Sequence, residues 1–176
     1  MPAVEIEKLS RQVKLVADQF GTPYELLPAL RNLFETYADR TFRVASVLHG
    51  AVTLPEYHLP PLLMPMLEKE LGKFCQANPF TSLEVIDLLW KEPYREPRLL
   101  ASSLLGKIPV SHASQVIERL QLWAVSINDP ALTETIIRKG SQTLRRQAVD
   151  AWLEIIQSWL NSDKQSENRL GLNSLT

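Results

Sequence analysis

Four dipeptides set the rhythm of this chain: Thr22-Pro23, Asn78-Pro79, Glu96-Pro97 and Asp129-Pro130. Each opens a run whose apolar residues recur at three and four, the spacing of one helical face. Proline at the start of a helix fixes φ for the first turn and loses no hydrogen bond, because the N–H there has no intrahelical partner. Alternation of apolar and polar residues is too brief anywhere for a strand ladder. A chain punctuated this way must fold as helix, short turn, helix, and the expected class is all-α.

The stripes give the element order. Glu5–Phe20 forms a first helix with Ile6, Leu9, Val13 and Val16/Ala17 on one face and Gly21 as its stop. A second runs from Thr22-Pro23 to about Ala38, and Phe42–Leu48 adds a short helical turn. Pro55, Pro60 and Pro61 keep Gly50–Pro61 irregular, because helix cannot pass through prolines so spaced. Leu62–Ala77, Asn78-Pro79 to Lys91, and Glu96-Pro97 to Gly106 follow as helices. Ser111 is placed to cap His112–Ile127, whose stripe is Val116, Leu120, Trp123 and Ile127. Asp129-Pro130 starts a short helix ending near Gly140, and Ser141 is placed to cap a last long helix, Leu144–Leu160.

Successive helix pairs start near Phe80, His112 and Gln142, steps of 32 and 30 residues. That is the spacing of stacked helix hairpins, slightly short for HEAT-like repeats. Residues 1–160 are expected to form one HEAT-like domain, with 161–176 a polar tail or, from Arg169–Leu175, the start of a further helix. The stack reads as one that stops before a closing cap.

Charge excludes little and directs little. The net charge is −1, and basic and acidic residues balance in every third of the chain, so no basic arm announces nucleic acid. A folded surface can still gather Lys and Arg on one face. The single cysteine, Cys75, has no intramolecular disulfide partner and reads as a buried inert thiol. His49, His58 and His112 lack metal-ligand spacing, so neither a metal nor a cofactor is expected. No signal core or membrane-length apolar run occurs, which gives the cytoplasm as the expected compartment and no membrane partner.

Three segments resemble the AlkD-like DNA alkylation-repair glycosylases. Leu89-Trp90, Tyr94-Arg95-Glu96, Arg98 and Ala101 resemble that family's "LW…HE.R..A" stretch, with Arg95 standing at its histidine. Leu122-Trp123 followed by 127–135 (INDPALTET) is similar to the stretch carrying its active-site tryptophan and aspartate. Leu144-Arg145-Arg146-Gln147-Ala148 resembles its "WLRR.A" segment. The resemblance implies a right-handed α-α superhelix of HEAT-like hairpins whose concave face grips duplex DNA. It implies Glu134 and Arg146 as catalytic residues and Arg98, Lys139 and Arg145 as DNA-binding ones. The carboxylate would stabilise the sugar cation formed as 3-methyladenine or 7-methylguanine leaves.

Two positions depart from the pattern. Pro130 stands at the family's tryptophan and cannot stack on a base or sugar as an indole does. Glu134 stands at the aspartate, and its extra methylene moves the carboxylate oxygens by about 1–1.5 Å. Displacement on that scale costs about a hundredfold in rate, so the resemblance favours DNA binding over excision of alkylated purines.

Each of these residues also has a structural reading. Glu134 and Arg138 are i,i+4, as are Arg146 and Asp150, the spacing of solvated ion pairs. Arg98 can pair with Glu96 or Asp87. Trp90, Trp123, Trp152 and Trp159 lie on apolar stripes and are expected in the core. Glu68 and Glu70, beside Lys69 and Lys73, are expected on a solvated face. The alternative function is a HEAT-like scaffold that takes a protein partner in its groove.

Overall fold

The computed structural model describes residues 5–39 and 54–175. The turn expected at Phe42–Leu48 and the start of the stretch expected at Gly50–Pro61 lie outside the described residues. Among the described residues there are ten α-helices and no strand. They are α1 (Ile6–Ala17), α2 (Pro23–Tyr37), α3 (Leu63–Ala77), α4 (Pro79–Trp90), α5 (Arg95–Leu105), α6 (Ala113–Ala124), α7 (Pro130–Thr135), α8 (Gln142–Gln147), α9 (Val149–Leu160) and α10 (Gln165–Asn173). A 3₁₀ turn at Val110–His112 precedes α6, and a π turn at Ile136–Gly140 joins α7 to α8.

The helices stack in two rows. α1, α3, α5 and α7 with its π turn are neighbours in one, and α2 lies on α4 in the other. Contacts from each helix to the next but one are what stacked hairpins produce. Leu9, Val13, Leu63, Leu67, Leu71, Leu100, Leu104 and Leu105, from α1, α3 and α5, are fully buried in the core. Burying one such side chain stabilises by roughly 1.5–3 kcal/mol.

Charge pairs cross from one hairpin to the next. Arg31 of α2 donates to Glu92 at 2.8 Å and 2.6 Å. Arg119 of α6 donates to Asp87 of α4 at 2.8 Å and 2.5 Å. The Trp90 and Trp123 rings stack with centroids 3.9 Å apart. Trp123, Trp152 and Trp159 are buried and Trp90 half-buried, as their stripes require. Cys75 is buried with its thiol pushed up to about 11 by burial, consistent with an inert side chain.

Several expectations change. Ile6 is exposed, and α1 buries Leu9, Val13, Val16 and Ala17 instead. The Ser111 hydroxyl is 3.0 Å from the His112 ring and caps nothing. The Ser141 hydroxyl donates backward to the Ile137 carbonyl at 2.6 Å, bracing the π turn. The long helix expected over Leu144–Leu160 is two helices, broken at Ala148, which leaves helical geometry at φ −141°, ψ 56°. That break removes the Arg146–Asp150 pair, because the two residues no longer share a helix face.

Asp129, by contrast, caps α7 as expected, accepting from the N–H groups of Ala131 at 2.9 Å and Leu132 at 3.1 Å. Gly106 lets α5 meet the π turn. A Cβ there would lie 1.7 Å from the Lys139 carbonyl oxygen, so only glycine fits. Among the described residues no helix is long and apolar enough to cross a membrane, and no cluster of ligating side chains could hold a metal ion.

Candidate functional site: a guanidinium-lined cleft

A cleft of about 830 Å³ is lined by α7, the π turn, α8 and α10. Its polar lining includes Glu134, Arg138, Arg145 and Arg169.

Each wall has a local cause. α7 is aimed by its Asp129 cap, which buries Leu132 and Thr133 and turns Glu134 outward. The π turn carries Arg138 onward from α7. α8 is fixed by fully buried Leu144 and by Thr143, whose hydroxyl donates to the Gly106 carbonyl at 2.7 Å. Arg145 follows Leu144 and is therefore directed away from the core. α10 closes the cleft because Gly171 lets it approach Leu160 of α9, where a Cβ would sit 2.9 Å from Leu160 Cγ. Asn168 donates to the Leu160 carbonyl at 3.0 Å and Ser166 to the Val125 carbonyl at 3.1 Å, which ties α10 to the ends of α9 and α6.

Glu134 accepts from Arg138 at 3.0 Å, and both side chains are well exposed, at 64% and 74%. The i,i+4 ion pair expected of these residues is formed. Neither Arg145 nor Arg169 has a side-chain hydrogen bond or ion pair among the described residues. Three guanidinium groups thus share a cleft with one carboxylate.

The other basic residues named from the sequence are elsewhere. Arg146 is exposed outside the cleft and lies against Gln142, whose amide oxygen accepts from it at 3.0 Å once the amide is turned to face it. Adjacent helical residues point about 100° apart, and here Arg145 lines the cleft while Arg146 is directed to Gln142. Arg98 pairs with neither Glu96 nor Asp87. It donates to the Glu92 carbonyl at 2.9 Å, and its guanidinium lies 5.7 Å from the centroid of the Trp90 ring.

Lys139 donates to both oxygens of Glu68 at 2.8 Å, and Ser103 donates to the same carboxylate at 2.9 Å. This overturns the solvated face expected for Glu68. Glu68 links the π turn to α3, whereas Glu70 pairs with Lys73 within α3; both carboxylates are largely screened from water rather than on a solvated face.

Arg95 is equally occupied. Its guanidinium bridges Glu56 and Asp129, donating to Asp129 Oδ2 at 2.7 Å, and its backbone N–H donates to the Pro55 carbonyl at 2.9 Å. Beside it, Glu96 Oε1 accepts from the N–H groups of Tyr57 at 2.8 Å and His58 at 2.9 Å. His58 adopts left-handed backbone at φ 55°. Glu96 is only 7% exposed and its Oε2 is buried with no partner. Burial is the main cause that raises the Glu96 carboxyl above its ordinary value of 4.5.

With this geometry in place, comparison with known proteins supplies the family. The family model for DNA alkylation repair enzymes matches residues 63–176, well over half of the chain. The chain belongs to this family. The matched stretch runs from the start of α3 and contains every residue lining the cleft. No curated protein and no solved structure matches.

The residue that sequence reasoning missed is Arg169. It lies in a polar stretch without periodicity strong enough to assign a helix face, and only the packing of Leu170 and Gly171 against the preceding helices orients it.

Proposed function

We propose that this chain binds duplex DNA along its sugar–phosphate backbone, with the cleft between α7, α8 and α10 forming part of the contact surface. The observation carrying this reading is the gathering of Arg138, Arg145 and Arg169 in one open cleft on a chain of net charge −1. Guanidinium groups bind phosphate oxygens in pairs, and such contacts position a protein on DNA without reading its sequence. In this reading the helix rows form a right-handed HEAT-like superhelix. Its single domain takes in α10 as well as residues 1–160, and the cleft lies on the inner wall. Arg98 and Lys139 are held by the protein's own groups and are left out of the footprint.

The same reading ranks binding ahead of excision. A carboxylate stabilises a developing sugar cation best in a dry site, and Glu134 is open to water and already paired. Arg146, outside the cleft, is proposed to support catalysis only if the bound strand extends along α8.

The test is affinity for a short duplex across a salt series. A phosphate footprint gives a steep negative slope of log affinity against log salt, and Arg145→Gln should lower that slope by about one. A flat profile would sink the DNA reading and leave the groove to a protein partner. Excision is assayed separately, as release of 3-methyladenine or 7-methylguanine from methylated duplex. Release unchanged in Glu134→Gln would remove that residue from the chemistry.

A further inference from the structure

Two features of the cleft go beyond the sequence reading: a third arginine arrives from α10, and the carboxylate in the lining occupies one of the guanidinium groups. Arg145 and Arg169 stand without side-chain partners among the described residues, whereas Arg138 is held by Glu134 at 3.0 Å. An exposed i,i+4 pair of this kind is weak and screened by salt. A phosphate bearing two oxygens that match the guanidinium fork competes with it effectively.

We infer that the cleft is a three-arginine site for a phosphate-bearing ligand, in which Arg169 is a direct phosphate contact and Glu134 is a built-in competitor that the incoming anion displaces from Arg138. The inference deepens the backbone-binding reading and rests on it for the identity of the ligand. It assigns Glu134 a role opposite to that of a residue added for affinity: the carboxylate holds Arg138 in place and lowers the cleft's positive charge while the site is empty. α10 belongs to the site for the same reason, since it brings the third guanidinium into the lining.

The experiment uses the full chain, a 12-base-pair duplex and a salt series, with Arg169→Gln, Glu134→Gln and, as a control for general loss of charge, Arg11→Gln at an exposed position of α1. Circular dichroism checks that each variant is folded. Arg169→Gln should weaken binding about three- to tenfold at low salt and lower the slope by about one. Glu134→Gln should tighten binding about two- to fivefold and steepen the slope. Arg11→Gln should change affinity less than twofold.

Arg169→Gln within twofold of the wild type, or Glu134→Gln no tighter, would overturn the inference. If the wild type does not bind duplex at all, the backbone reading fails, and the anion site is judged on inorganic tripolyphosphate. The Arg138 and Arg169 Nε–H resonances should then shift on titration, and at lower concentration in Glu134→Gln. Resonances that stay still overturn the site itself.

Discussion

Two regions of this molecule use arginine for opposite ends. Around Arg95 the guanidinium is fully matched: Glu56 and Asp129 flank it, and the group is largely screened from water. Around Arg145, guanidinium groups outnumber the carboxylate and are open to solvent. The first arrangement joins one hairpin to the next. The second is left with unmet electrostatic demand and is the one available to a ligand. In a chain with balanced overall charge, the informative quantity is which arginines remain unmatched after folding, not how many there are.

The sharpest break in that contrast is Arg95→Ala. Removing the guanidinium strands two acidic side chains and should cost about 3–5 kcal/mol of stability by urea denaturation. Arg145→Gln should cost less than about 0.5 kcal/mol, as surface changes usually do. Equal losses would erase the distinction between a joining arginine and a free one.

Glu96→Gln probes the same buried region through pH. Folding raises the Glu96 carboxyl above its ordinary 4.5, so the native state holds its proton more tightly than the unfolded chain does. The stability this contributes is complete below the unfolded value and is lost as pH rises through the folded one. Wild-type protein should therefore lose stability relative to Glu96→Gln as pH rises from 4 into the neutral range. A difference constant with pH would show that the carboxyl is not perturbed.

The smallest expected effect belongs to the open cleft. A double-mutant cycle on Glu134 and Arg138 should give a coupling of a few tenths of a kcal/mol. A coupling above about 1.5 kcal/mol would mean that the pair is structural and that the contrast between the two regions is drawn in the wrong place.

Much of the fold was legible in the sequence because helical burial leaves a period. The stripes through Leu9, Val116 and Ile155 predict the helices that bury them, and Asp129-Pro130 marks a helix start by chemistry alone. Features without a period were hidden. The break at Ala148 involves neither glycine nor proline. The Lys139–Glu68 bridge spans 71 residues. The preference for Arg145 over Arg146 at the cleft is a question of helical phase, settled by which neighbour Leu144 buries. Glu134 and Arg145 were both named from their segments, whereas Arg169 became visible only when α10 folded back on α9.

The two oxygens of Asp129 have a final consequence. Oδ1 starts α7 and Oδ2 holds Arg95 at the start of α5. In a linear array each unit ordinarily couples to its neighbour through apolar packing, but here one carboxylate both nucleates a unit and latches it to the one before. Melting the earlier unit withdraws the latch that aims α7, so the two should unfold in a single cooperative transition.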